Sequence, residues 1–320
     1  MTTFGYFLSS EELPPGELVD SAARGEQAGF ERLWISDHFH PWLDEQGQSP
    51  FVWSVLGAIA ARTERMVVTT AVTCPTIRIH PAVLAQAAAT TQLLFGGRFQ
   101  LGVGSGEALN EHIFGDGWPN AEIRLEMLEE AVEVMRRLWS GEVVRHRGTH
   151  YTVDTARIYS LPEQPIPVLL SGFGPKATEL AARIGDGYLN VQPDGDLVQL
   201  YRSSGGAGVT QAGAKVCWAR DAAQARQTVH RLWPHQAVPG EVAQVLYSPQ
   251  QFAQISGIVT EEMAVGAVAA TGSAVEDFVE GLRPYVEAGF DEVYISQIGP
   301  DQQGFLTFWQ QELEPALRGL

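Results

Sequence analysis

Arg32-Leu33-Trp34-Ile35 is a short β-rich run that passes directly into Ser36-Asp37-His38, and helical patterns stand on either side of it, over residues 18–28 and 52–61. A short apolar strand followed by a periodic helix reads as one βα unit. The alternation continues to both ends of the chain. Seven further runs read as strands, over 4–7, 66–70, 99–102, 168–172, 187–191, 215–219 and 292–298. Helical patterns over 82–94, 121–139, 176–184, 196–203, 222–232 and 275–288 separate them, and a last helix over 305–317 closes the chain. Eight strands with their helices in 320 residues predict an α/β fold, a (β/α)8 TIM barrel rather than an open doubly wound sheet. No internal repeat or low-complexity linker divides 1–320, so one domain is expected. Extra length at about 39–50, 139–167 and 234–272 predicts insertions in the loops at the C-terminal face, where barrels build their sites.

Composition narrows the partners. With 45% hydrophobic and 18% charged residues the chain can bury a large core, which excludes disorder. Its 21 Lys and Arg against 38 Asp and Glu give a net charge of −17, so it lacks the basic face that nucleic acid or anionic lipid requires. A small-molecule partner is expected. There are only two lysines, Lys176 and Lys215, so a phosphate must be held by arginines, helix N-termini and backbone amides. Residues 1–7 carry no basic signal-peptide start, and no run approaches the roughly 18 apolar residues of a membrane span. A cytoplasmic location is expected. Cys74 and Cys217 form no C-x-x-C, which predicts two reduced thiols and no zinc site.

Barrel chemistry sits at the C-terminal ends of strands, so polar residues there are the candidates. Asp37 and His38 follow the second strand, with Phe39, Trp42, Phe51 and Trp53 around them. An apolar cavity beside a titratable ring is one way its acidity is tuned, although an isolated Asp-His pair also serves as a turn cap and a surface residue. The third strand runs through Thr70-Ala71-Val72-Thr73-Cys74 to Pro75, small side chains that let a flat ring approach the backbone or simply make a tight turn. After the fourth strand, Gly102-Val103-Gly104-Ser105-Gly106-Glu107 lacks the dinucleotide spacing, so a Rossmann fold is disfavoured. Its glycines suit close approach of a bound ring system, and Glu107 suits either a general acid against that ring or the start of a helix. Gly172-Phe173-Gly174-Pro175 leads into a helix whose free amides and dipole make an anion site, or an ordinary turn. The remaining histidines show no H-E-x-x-H pairing and there is no G-x-S-x-G elbow, so neither a metal centre nor an acyl-enzyme is expected.

Three blocks carry a resemblance. They are Ser36-Asp37-His38 with Pro41-Trp42, Thr73-Cys74-Pro75-Thr76 with His80-Pro81-Ala82-Val83, and Gly104-Ser105-Gly106-Glu107-Ala108-Leu109-Asn110. Together they resemble the luciferase-like family of flavin and deazaflavin oxidoreductases, and within it the coenzyme F420-dependent branch typified by glucose-6-phosphate dehydrogenase. The likeness runs from Phe4 to the final Leu313-Glu314-Pro315-Ala316-Leu317. It implies a barrel that passes hydride between F420 and a substrate carbon. His38 would be the base on the substrate hydroxyl, Glu107 the acid at the reduced ring nitrogen, and Trp42 the wall above the ring. Asp37 would bind the deazaflavin. Ala71, Val72 and Thr73 would lie under the ring, with a non-proline cis peptide at Ala71-Val72, beside Gly104, Ser105 and Gly106. Gly172, Phe173 and Gly174 would hold the cofactor phosphate, and Asn110 the chain leading to it. The resemblance also implies a homodimer.

The sugar-phosphate enzymes of that branch hold their substrate phosphate with two lysines and an arginine. The matching stretches here are Pro193-Asp194, Ala243-Gln244-Val245 and Val265-Gly266-Ala267, and none is basic. Removing one partner of a desolvated charge pair costs about 2–5 kcal/mol, so glucose-6-phosphate is not the expected substrate. A neutral alcohol, an aldehyde or an unphosphorylated hydroxy compound is. Two other readings remain open at this level, an FMN-dependent monooxygenase of the same family and a barrel that only binds the cofactor.

Overall fold

The computed structural model describes residues 2–320. Eleven strands follow in chain order: β1 Thr3–Leu8, β2 Arg32–Ile35, β3 Val67–Thr70, β4 Phe99–Val103, β5 Val144–Arg147, β6 Thr152–Ala156, β7 Val168–Ser171, β8 Gly187–Asn190, β9 Val209–Trp218, β10 Ala270–Gly272 and β11 Glu292–Gln297. Parallel pairing runs β11-β1-β2-β3-β4-β7-β8, and β9 pairs with both β8 and β11, so eight strands close on themselves. The chain is a (β/α)8 TIM barrel. Closure removes free edges and gathers eight strand ends into one mouth.

Alternation along β9 shows how the layers form. Ala212, Ala214 and Val216 join the main core beneath the helices. Gln211, Gly213 and Lys215 face inward: Trp34 Nε1 donates to Gln211 Oε1 at 2.9 Å, and Lys215 lies over the Phe7 ring. A Cβ at Gly213 would stand 2.8 Å from the Trp34 ring, so glycine makes room for the indole. Phe7, Trp34, Leu169, Leu189 and Tyr294 plug the barrel, with Ala71, Val72 and Val191 packed on them. The sequence pattern places this strand at 215–219, whereas it begins at Val209, because Gln211, Ala212, Gly213 and Ala214 interrupt the β-rich character.

Two of the three insertions stand over the mouth. The 39–50 loop and the 234–272 segment meet there: Phe252 packs with Leu43 and Leu109, and Gln46 Nε2 donates to Leu232 O just before that segment. The later segment holds the helices Pro249–Ser256 and Glu261–Gly266 and ends in β10, which pairs with the last residues of β9. The 139–167 insertion is placed differently. It joins the helix Ala121–Leu138 to β7 and so leaves from the N-terminal end, forming the antiparallel hairpin β5-β6. That hairpin still reaches the catalytic end, since Tyr151 Oη donates to the carbonyls of Pro75 and Thr76.

One close approach is rigid enough to test. A side chain at Gly102 on β4 would collide with the backbone carbonyl of Thr70 on β3. Gly102→Ala forces two barrel strands apart, and a loss of about 3 kcal/mol is expected, read as a lower urea midpoint with an unchanged m-value.

Candidate active site

The ends of β1, β2 and β4 bring the first polar cluster together at the mouth. After β1, Glu11 is buried, and its Oε2 accepts from the hydroxyls of Ser9 at 2.6 Å and Ser36 at 2.9 Å. After β2, His38 turns its Nε2 to Glu11 Oε1 at 3.4 Å and to Glu107 Oε1 at 3.8 Å. The imidazole and Glu107 therefore lie against one another. Glu107 follows β4 and is held by the amide of Asn110. The other ring nitrogen of His38 stands 3.2 Å from His40 O, an acceptor, which fixes the proton of a neutral ring on Nδ1 and leaves Nε2 as the lone pair. Burial works to raise the Glu11 carboxyl, but the charge of His38 and the hydroxyls of Ser9 and Ser36 outweigh it and hold the group below the usual carboxylate range. Trp42 meets His38 edge-on, with ring centroids 4.9 Å apart.

A second polar cluster lies beneath the first. Arg78 Nη2 is 3.0 Å from Asp37 Oδ1 and its Nε is 3.5 Å from Glu111 Oε1, with all three side chains covered. Thr73 Oγ1 donates to Asp37 Oδ2 at 2.8 Å, and the amides of Ile77 and Arg78 donate to Glu111. Burial pushes Glu111 up to about 7, opposed by Arg78 and its amide and helped by Glu107. The same carboxylates outweigh the burial of Arg78 and raise its pKa.

These contacts show where three of the residues expected at the cofactor stand. The side chain of Asp37 is wholly covered and engaged by Thr73 and Arg78, which fixes the loop after β2. Thr73 is fully buried and holds Asp37. Asn110 is buried too: its Oδ1 takes the amides of Phe39 and His40, and one N–H of its Nδ2 goes to Glu107, which leaves the second N–H unspent. It ties the β2 loop to the β4 loop.

On the far side of the mouth, the ammonium of Lys215 sits on the faces of Trp233, at 4.2 Å, and Phe7, at 5.2 Å. Burial lowers its pKa, and Glu11 and Glu12 oppose that. Glu12 is spoken for by others, accepting from Trp233 Nε1 and from Gly299 N at 2.7 Å, and burial pushes it up to about 7. His235 is buried between Trp42, Trp233 and Phe252. Burial, with the charges of Lys215 and His38 adding, holds its imidazole well below the ordinary value, so the ring is neutral at pH 7. Sequence reasoning passed over Glu11, Glu12, Arg78, Glu111, Lys215 and His235. The first two were within reach, because they follow β1 as Asp37 and His38 follow β2.

The floor between these groups fits a flat ring. Ala71 and Val72 are half-buried, joined by a cis peptide, and lie against Phe7 and Trp34. Gly104 is the neighbour that a Cβ would bring within 2.8 Å of Val72, so glycine keeps that surface flat. Ser105 and Gly106 are half-buried at the rim, and Gly106 has φ +81°, which favours glycine. Further out, Gly174 caps the helix Pro175–Ile184, whose first amides have no intrahelical partner. A Cβ on Gly174 would meet nothing within 4 Å, and Phe173 is exposed. Gly172 lies deeper, against Ala177 and Thr178, where it lets that turn pack on β7. Among the described residues no group of three or more His, Cys, Asp and Glu side chains is placed to hold a metal.

Residues 2–292 match the luciferase-like monooxygenase family. The chain belongs to that family. This luciferase-like protein is 36% identical to an F420-dependent glucose-6-phosphate dehydrogenase of Microbacterium testaceum (strain StLB037), over 98% of this chain and 97% of the relative. It is 34% identical to the protein of that name from Amycolatopsis mediterranei (strain U-32), over the whole of both. A solved F420-dependent secondary alcohol dehydrogenase, in complex with an F420-acetone adduct, superposes with a TM-score of 0.91 at 29% identity over 99% of both chains. The F420-dependent tetrahydromethanopterin reductase from Methanopyrus kandleri shares the fold, with a TM-score of 0.77 at 20% identity over 99% of both. Among the described residues no helix is long and apolar enough to cross a membrane.

Proposed function

We propose that this luciferase-like enzyme is an F420-dependent dehydrogenase or reductase that acts on a CH–OH or carbonyl carbon. The observation that carries the reading is the meeting of His38 Nε2 with Glu107 at the rim of a flat, small-residue floor, in a chain whose relatives are named F420-dependent dehydrogenases. The residues fit the cofactor: Ala71, Val72 and Gly104 would support its ring, Ser105 and Gly106 would border it, and Phe173, Gly174 and the helix amides would take its phosphate. When bound, coenzyme F420 supplies a ring carbon that exchanges hydride with substrate and a ring nitrogen that exchanges a proton.

His38 takes the hydroxyl proton of an alcohol on Nε2 or returns it to a carbonyl, since the same group serves both directions. Nδ1 keeps its proton on His40 O throughout. Glu11 stands at the nitrogen that becomes charged and stabilises the imidazolium. Glu107 carries the proton for the ring nitrogen, steered by the Asn110 amide. Trp42 covers the edge of His38 and keeps water from it. Removing the charge in Glu11→Gln leaves the fold's hydrogen-bond acceptor in place, and kcat is expected to fall ~10²-fold with KM nearly unchanged, measured by steady-state bleaching of F420 absorbance.

Titration of the purified protein with F420 and with FMN tests the cofactor: saturable binding of F420 with turnover of secondary alcohols supports the reading, and binding of FMN alone sinks it. Glucose-6-phosphate is expected to be a poor substrate. Asp194 caps its own helix through Leu197 N, Ala243 packs against Leu43 and Leu109, and residues 193–194, 243–245 and 265–267 carry no basic side chain of their own. Turnover of glucose-6-phosphate within tenfold of the best unphosphorylated alcohol would refute that. The chain is read as a cytoplasmic homodimer, supported by exposed apolar Val83, Leu93 and Leu94 on the helix Pro81–Leu94.

A further inference from the structure

Lys215 is one of two lysines in a chain of charge −17, and it points into the barrel mouth. Lys215 is half-buried, whereas its β9 neighbours Gly213, Ala214, Val216 and Cys217 are buried. It belongs to none of the ion pairs within 4.0 Å among the described residues. The two nearby carboxylates are already engaged: Glu11 with Ser9, Ser36 and His38, and Glu12 with Trp233 and Gly299. The cation is walled by aromatic faces instead.

His235 gives a second, independent sign. It is 4% exposed, and neither ring nitrogen has a hydrogen-bond partner. A buried imidazole with its N–H unspent carries an open desolvation cost until something accepts that proton. The two groups are joined to the catalytic base by a continuous row of rings. His38 meets Trp42 at 4.9 Å, Trp42 stacks on His235 at 5.2 Å, His235 meets Trp233 at 5.2 Å, and Trp233 carries Lys215 at 4.2 Å.

We propose that Lys215 and His235 form the subsite for a carboxylate on the substrate, so that the enzyme acts on a hydroxy acid and its oxo acid. This rests on the F420 reading given above for the reaction itself. The hydroxyl end lies at His38 and the carboxylate lies across Trp42 and Trp233. The alcohol carbon gives its hydride to F420 and its hydroxyl proton to His38, an oxo acid is left, and the carboxylate is unchanged. A monoanion matches one ammonium and one neutral donor. A phosphate dianion calls for several charged donors, which this pocket lacks.

Calorimetry of straight-chain carboxylates of two to six carbons, each against its neutral amide and alongside inorganic phosphate, tests the subsite on the protein with and without F420. At least one carboxylate is expected to bind tenfold or more tighter than its amide. Lys215→Met is expected to erase that difference and Lys215→Arg to restore it. The proposal is overturned if acid and amide bind alike or neither binds, if the difference survives in Lys215→Met, or if phosphate binds tighter than every carboxylate. Failure of the F420 reading shows separately, as absence of F420 binding, because the carboxylate measurement on the protein alone does not need the cofactor.

Discussion

Replacing His38 by alanine is expected to lower kcat/KM for the preferred alcohol ~10³-fold, which is about 4 kcal/mol of lost transition-state stabilisation. F420 affinity is expected to change little, because the floor at Ala71, Val72 and Gly104 does not involve the imidazole. The paired measurement therefore separates proton transfer from cofactor binding. The variant also tests the pairing beneath it. Glu11 is held below the usual carboxylate range partly by the charge of His38, and the stability this contributes is present above the ordinary carboxyl pKa and lost as pH falls through the lowered one. In His38→Ala that attraction is lost while the burial of Glu11 stays, its carboxyl moves up, and thermal stability near neutrality falls. A variant with wild-type kcat/KM would remove His38 from the mechanism.

Arg78→Met is expected to be the most damaging substitution for stability. It strips the cation from two covered carboxylates, Asp37 and Glu111, and breaking a buried pair by deleting one partner costs about 3–5 kcal/mol. At roughly 2–4 °C per kcal/mol this is a fall in Tm of about 6–20 °C. The loss depends on pH. Glu111 titrates near 7 in the folded chain, above its unfolded value of 4.5, so its favourable contribution is full below 4.5 and lost as pH rises through about 7. Protonated Glu111 needs no cation, so the variant is expected to lose less at pH 5.5 than at pH 8. Equal losses at both would show that Glu111 is not the group left exposed to the missing charge.

The barrel was readable because its strands are short apolar runs with a helix after each, and the ends of β2 and β4 were readable because Asp37, His38 and Glu107 interrupt apolar sequence at a strand end. What escaped reading did so for local reasons. The first half of β9 looks unlike a strand because Gly213 yields its space to Trp34 and Gln211 to a hydrogen bond with that indole. The hairpin strand Val144–Arg147 puts Arg145 and Arg147 on a solvated face and only Val144 and His146 on the covered one, a pattern as compatible with a loop. His235 lies in a single 3-10 turn within an insertion, so no periodicity marks it, and only the fold brings it to Trp42. Asn110, Asp37 and Thr73 stand in the loops expected of them, with side chains tied to neighbouring loops. Sequence shows which loop a polar residue occupies and cannot show whether its side chain is consumed by a neighbouring loop.

Tyr151 gives the hairpin a reach that its point of departure would not suggest, since its hydroxyl grips Pro75 and Thr76, just beyond the cis peptide proposed as the bed for the ring. The bed is thus buttressed from the outer flank of the barrel by a segment that borders no reacting atom. Changes in that flank would alter how firmly the bed is held while the acid, the base and the anion-binding wall stay as they are. Cofactor grip and substrate choice can accordingly be tuned by different parts of the chain.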